Sequence, residues 1–199
     1  LSFFYKFNKT HKIIISSAMY APWKDDEKFF NLFSKIKDLT IIDEARAYTL
    51  WHLSKSLRNI QGDIFDIGCM KGGAGILMSK ANKNKNTKTY FIDTFDGFAK
   101  SSGDHKKNET FVYSKTDELI KNLKIYKIKK FEVLKKRFPK KVSIKKKIKL
   151  CHLDINIYED TVKSFIFVDK HLIKNGIVVF DDYGIFKVDG ILRAIKRIL

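Results

Sequence analysis

Gly62-Asp-Ile-Phe-Asp-Ile-Gly-Cys-Met-Lys-Gly-Gly-Ala-Gly75 is the stretch on which the fold turns. Ile64, Phe65 and Ile67 make a short apolar run that breaks at Gly68, and Gly72, Gly73 and Gly75 precede Ile76-Leu-Met78, where a helical pattern begins. Strand, glycine turn and helix in that order open a βαβ unit. Glycines let the backbone bend sharply and approach a ligand closely, with the N–H groups of the helix start facing it. Two nucleotide signatures are absent: there is no Gly-x-Gly-x-x-Gly for a dinucleotide and no Gly-Lys-Ser/Thr for a P-loop. Instead Asp66 stands two residues before the first glycine, and a Gly-Gly pair follows four after it.

Downstream, Thr89-Tyr-Phe-Ile-Asp93 reads as a second strand that ends on an acid. In a doubly wound sheet the carboxyl end of that strand lies beside the first glycine turn, where a carboxylate accepts hydrogen bonds from vicinal ribose hydroxyls. Asp93 follows Gly68 at the separation of roughly 20 residues that such sites use. Upstream, Asp25-Asp-Glu27 starts a helix with Phe29, Phe30, Leu32, Phe33 and Ile36 at helical spacing. Asp43 caps a second helix that turns Ala47, Leu50, Trp51 and Leu57 inward. Residues 1–24, with Ile13-Ile-Ile15 and Tyr20-Ala-Pro-Trp23, are expected as a short strand or loop. Residues 1–60 then form an N-terminal helical cap or lid and residues 61–199 the core, one domain in all.

Beyond Asp93, residues 100–110 are expected as a polar loop, 116–126 as a helix, and Phe131-Glu-Val-Leu134 as a strand. Ile148 to Asp154 is a further strand, Tyr158 to about Lys174 the crossover helix, and Asn175-Gly176 its stop. Ile177-Val-Val-Phe180 is a buried strand running into Asp181-Asp182, and Asp189 caps a last helix over 191–199. Strands alternating with helices, without an internal repeat, predict an α/β, Rossmann-like fold with a mostly parallel doubly wound sheet.

With 199 residues and 44% hydrophobic content the chain can bury one good core. No apolar run reaches the length of a membrane span, and the N-terminus lacks the order of a signal peptide. Cys69 and Cys151 fall far apart in predicted core segments, which predicts reduced thiols and a cytoplasmic setting. The formal charge of +18 invites a nucleic-acid reading, but 35 of the 40 basic residues are Lys, and phosphate and base recognition favours Arg forks. No specific nucleic-acid partner is expected. The Lys-rich run 129–149 reads as a solvated face with snorkelling stems.

Asp154, Asp181 and Asp182 end what should be neighbouring strands. Like charges so placed repel unless something cationic sits among them. Oxygen donors suit Mg²⁺, Ca²⁺ or Mn²⁺, against the plainer reading that one acid caps a helix and the others are solvated. His152 reads as a buried, hydrogen-bonded strand histidine, with a role as base the alternative.

Four stretches in order resemble the macrocin O-methyltransferase family, the metal-dependent sugar O-methyltransferases of antibiotic and glycan pathways. They are Gly62 to Gly73, Phe91-Ile-Asp-Thr-Phe-Asp-Gly-Phe98, His152-Leu-Asp-Ile-Asn-Ile-Tyr-Glu-Asp-Thr161 and Gly176-Ile-Val-Val-Phe-Asp-Asp-Tyr-Gly184, with Arg137-Phe-Pro139 a shorter landmark. The likeness covers about residues 20 to 198 and implies a class I fold that binds S-adenosylmethionine (SAM). It implies that Asp66, Gly68, Gly72 and Gly73 cradle the methionine part, that Asp93 holds the ribose, that Lys71, Thr94 and Phe95 also belong to the cofactor site, and that Asp154, Asp181 and Asp182 bind Mg²⁺. Asp154 is also the implied general base. Asp66 replaces the family's usual Glu, and Asn156 replaces a second Asp. The family's closing antiparallel strands are expected to be missing, since one helix follows Asp182. The acceptor implied is a small-molecule sugar hydroxyl on a nucleotide-sugar or glycan precursor. A catechol-type enzyme on a phenolic acceptor and a degenerate polyanion-binding domain are the rivals, and homo-oligomerisation stays open.

Overall fold

A computed structural model describes residues 21–96, 114–140, 142, 147–184 and 189–199. The expected strand at Ile13-Ile-Ile15 and the polar loop at 100–110 lie outside them. The elements are α1 (Glu27–Ile36), α2 (Glu44–Ser56), β1 (Asp63–Ile67), α3 (Gly73–Asn82), β2 (Thr89–Asp93), α4 (Thr116–Ile125), β3 (Phe131–Lys135), β4 (Ile148–Leu153), α5 (Tyr158–His171), β5 (Leu172–Phe180) and α6 (Asp189–Ile198). The five strands pair in the order β3-β2-β1-β4-β5, every pairing parallel. This is the α/β doubly wound sheet that the alternation of elements predicted.

Both early helices are capped by acids. Asp26 accepts from the Phe29 N–H at 3.0 Å and Asp43 from the Arg46 N–H at 2.9 Å, satisfying donors that a helix start leaves unpaired. Phe29, Ile36, Ala47 and Leu50 of α1 and α2 are buried in one cluster with Ile76, Leu77 and Met78 of α3 and with Leu119 and Leu123 of α4. That cluster covers the sheet face made by Ile64, Phe91 and Leu150, while Phe65, Tyr90, Ile92, Cys151 and Leu153 meet Val168 of α5 on the opposite face. Arg137 Nε donates to Asp160 Oδ2 at 2.7 Å, which fastens the Arg137-Phe-Pro139 segment to α5. Cys69 and Cys151 are free and buried, as expected of reduced thiols. No helix among the described residues is long and apolar enough to cross a membrane.

Four expectations change. α3 begins at Gly73 rather than Ile76. α5 ends at His171, short of Asn175-Gly176, with Leu172 already paired to Ile148 before the chain bulges out and re-enters the sheet at Ile177 opposite Leu150. α6 begins at Asp189, which is therefore inside the helix and not its cap. The fourth change concerns Lys149, placed by sequence on a solvated face. Ile148 pairs with Asp63 and Leu150 with Ile64, so Lys149 is the extra residue of a bulge, a feature that re-aims a side chain. It is 0% exposed and donates to Leu57 O, Ile60 O, Asn82 Oδ1 and Thr87 Oγ1 at 2.7 to 3.2 Å.

Candidate active site

Parallel pairing in the order β2-β1-β4-β5 sends four strands to one edge with their carboxyl ends together. Register then aligns their last residues. Asp66 lies opposite Phe91 on one side and His152 on the other, and Leu153 lies opposite Phe180. The Asp154 N–H donates to Ile67 O at 2.8 Å and the Asp181 N–H to Leu153 O at 3.0 Å. Asp66, Asp93, Asp154, Asp181 and Asp182 thus occupy a single edge of the sheet, the position where open α/β sheets bind ligands.

Gly68 (φ +86°) and Gly72 (φ +90°) take left-handed conformations in the turn. Their bareness serves the chain itself as much as a ligand. A Cβ on Gly68 would sit 1.9 Å from the Asp154 carbonyl oxygen, and one on Gly72 would sit 2.4 Å from Leu119 Cδ1. Gly73 likewise lies against Leu39 and Thr40. The α3 N-terminus carries no side-chain cap, which leaves its first N–H groups for an anionic ligand group. Asp93 accepts from the Met70 N–H at 2.9 Å and from the Phe95 N–H at 3.0 Å. A carboxylate has about four acceptor sites, so it still has capacity for hydroxyls. Lys71 pairs with Glu118 at 3.2 Å, and Thr94 Oγ1 accepts from the Asp96 N–H at 3.4 Å.

The acid group is held by a cation that sequence reading did not find. Arg46, on the first turn of α2, donates from one nitrogen to Asp181 Oδ2 at 2.8 Å and to Asp182 Oδ1 at 3.0 Å, while its Nε donates to Asp43 Oδ2 at 2.8 Å. A signal existed. A cation in the first helical turn opposes the helix dipole, so its presence at that position points to an acid outside the helix. The second missed contact is that of His152, whose Nδ1 lies 2.8 Å from Asp66 Oδ1, both side chains buried. His152 Nε2, Asp66 Oδ2 and Asn156 Oδ1 are buried with no hydrogen-bond partner.

The charges shift one another. Burial pushes Asp154 up to about 8, with the Asp181, Asp182 and Asp66 carboxylates adding to it against the pull of His152. Burial works against the His152 imidazolium, yet the Asp66 hydrogen bond and charge, with Asp154 and Asp181 behind them, raise it to about 9. Asp182 is raised by burial and by Asp181, against Arg46 and the Asn156 amide. One donor atom each from His152, Asp154 and Asp181 lies within 4.8 Å of the other two; Asp182 is outside that group. Beside them opens a cleft of about 190 Å³ lined by residues including Arg46, Thr49, His152, Asp181, Asp182 and Tyr183.

A doubly wound parallel sheet with an uncapped glycine-turn helix, an acid closing β2 and an acid cluster closing β4 and β5 defines a class I SAM-dependent methyltransferase. The O-methyltransferase NovP superposes with a TM-score of 0.69 at 17% identity, covering 80% of this chain and 73% of that one. The calicheamicin methyltransferase CalS11 superposes at 0.67 with 16% identity, covering 92% and 86%. An O-methyltransferase from Bacillus cereus in complex with SAH gives 0.56 at 11% identity, covering 86% and 77%. No curated protein matches the sequence. The macrocin-O-methyltransferase (TylF) family matches residues 37–197, and the chain belongs to that family: it is a SAM-dependent O-methyltransferase.

Proposed function

We propose that the chain methylates a hydroxyl of a sugar, carried on a nucleotide-sugar or a glycan or antibiotic precursor, with a divalent cation, Mg²⁺, at Asp154, Asp181 and Asp182. The observation that supports it most is the cleft beside the acids. At about 190 Å³ it is smaller than the ~300–1,000 Å³ of pockets that enclose a drug-sized ligand, which suits one sugar ring with the remainder outside. Tyr183, 59% exposed at its rim, offers a ring face, Arg46 offers N–H donors, and the Thr49 hydroxyl, which donates to Ala45 O, offers an acceptor oxygen. CalS11, which shares the fold, is a TDP-rhamnose 3'-O-methyltransferase.

Bound SAM supplies an electrophilic methyl group, and a bound divalent ion lowers the pKa of the hydroxyl it holds. The chain's own residues do the rest. Asp66, Gly68, Lys71, Gly72 and Gly73 form the methionine cradle, and the unpartnered Asp66 Oδ2 suits an ammonium group there. Asp93, Thr94 and Phe95 hold the adenosyl part. Asp154 receives the hydroxyl proton, as a carboxylate at the edge of the acid cluster. The segment 1–60 acts as a cap whose Arg46 reaches the acids and orders the acceptor side. A cytoplasmic location fits the free buried thiols.

The test is transfer of labelled methyl from SAM to a panel of nucleotide-sugars and catechols. Label on a nucleotide-sugar, lost in Asp154→Asn, supports the reading. Label on catechols alone moves the acceptor to the phenolic class. Absence of SAM binding with salt-sensitive RNA binding in its place overturns the enzyme reading.

A further inference from the structure

Asp66 and His152 face one another across the β1–β4 pairing, on the sheet side that α2 covers. Their hydrogen bond, 2.8 Å from Oδ1 to Nδ1, fixes the plane of the imidazole and commits one ring nitrogen. The other nitrogen, Nε2, is buried and has no partner, although His152 is only 2% exposed. A buried polar atom left without a hydrogen bond carries its full desolvation cost, so a site that keeps one is keeping it for something. With Nδ1 taken, Nε2 is the nitrogen left to act with Asp154 and Asp181, whose donor atoms lie with the ring's inside 4.8 Å. Ligands bound at ~2.0–2.2 Å to one ion stand up to about 4 Å apart, so the three atoms need only small movements to share it.

We propose that His152 is a metal ligand, making with Asp154 and Asp181 a two-carboxylate, one-imidazole site for a divalent first-row transition metal. This rests on the metal-assisted reading above and changes both its ligand set and its metal. Asp66 is the carboxylate behind the histidine, the partner that fixes tautomer and ring orientation in most histidine–metal sites. Asp182 has no donor atom in that trio; one Arg46 nitrogen bridges it at 3.0 Å and Asp181 at 2.8 Å, and with the Asn156 amide holds Asp182 as a counter-charge beside the metal. Imidazole nitrogen favours Mn²⁺, Fe²⁺ and Co²⁺ over Mg²⁺, whose sites use oxygen and retained water.

The experiment uses the full chain without a histidine tag, stripped by chelator and reloaded with Mn²⁺ or Mg²⁺. Echo-modulation EPR of the Mn²⁺ protein should show a directly bound imidazole ¹⁴N in the native chain and none in His152→Gln. Calorimetry should show Mn²⁺ binding at least tenfold tighter than Mg²⁺, a ratio that His152→Gln lowers to about threefold or less. Asp66→Asn should weaken Mn²⁺ about 10- to 100-fold, with the ¹⁴N signal altered. A Mn²⁺ protein with no nitrogen coupling overturns the inference and leaves the metal-assisted reading standing, and the native-chain spectrum decides this even where a variant fails to fold. Failure of either metal to bind the native chain overturns both.

Discussion

Strand β4 carries a buried basic side chain near each end, and the two ends are finished differently. Near the amino end, Lys149 meets four oxygens, two of them main-chain carbonyls at the end of α2, so its ammonium is fully partnered. Near the carboxyl end, three residues on, His152 has one partner, Asp66, and a bare Nε2 amid acids. Both are among the buried residues, although Lys149 closes a Lys-rich run that reads as surface while His152 reads as buried. The difference lies in satisfaction. A saturated buried polar group ties elements together, and a half-satisfied one waits for a ligand. By that criterion the amino edge of this sheet is architecture and the carboxyl edge is chemistry.

Substitutions at the two ends should therefore fail in different assays. The largest effect belongs to Asp181→Ala, which should reduce turnover about 10³-fold, within the range a lost general-base or metal contribution spans, while SAM affinity measured by calorimetry stays within about twofold. Unchanged turnover in excess chelator would erase the distinction drawn for this edge. Next is Lys149→Met. It strands several buried oxygens and should lower unfolding free energy by about 3 kcal/mol in denaturant titration, with SAM affinity retained in the folded fraction. A Lys149→Met protein as stable as the native chain would show that its four contacts are not what joins α2 and α3 to the sheet. Smaller again is Asp93→Ala. Main-chain donors already engage its oxygens, so the expected loss is about tenfold to a hundredfold in SAM affinity, the equivalent of roughly 1.4–2.8 kcal/mol.

Much of this was legible in the sequence because it rests on local chemistry. Glycines at 68 and 72, the apolar run of β1 and the acid ending β2 each declare a backbone conformation or an element end within a few residues, and order along the chain did the rest. Arg46 was not legible as a partner, because its contacts to Asp181 and Asp182 span 135 and 136 residues and depend on how α2 lies on the sheet. The Asp66–His152 pair depends on the β1–β4 register, which a one-residue slip would reverse. Lys149 misled for the opposite reason. A bulge, invisible to period-two counting, turned inward one lysine of a run that reads as solvent-facing.

The most gradual expected effect, small per pH unit, distinguishes the two ends by pH. Burial lowers Lys149 to about 8 from an ordinary 10.5, the Asp63 charge opposing only in part. Below about 8 the lysine is charged in both folded and unfolded chains and contributes no pH dependence. Between about 8 and 10.5 the unfolded chain binds the proton and the folded chain does not, so stability rises with pH across that window. One proton gives a slope of at most about 1.4 kcal/mol per pH unit. The measurement is the difference in unfolding free energy between the native chain and Lys149→Met from pH 7 to 10.5, a subtraction that cancels titrations common to both. A difference that grows above pH 8 is the expected outcome. A flat difference would mean that the four oxygens hold the ammonium charged throughout, a tighter lock at the amino edge than burial alone allows.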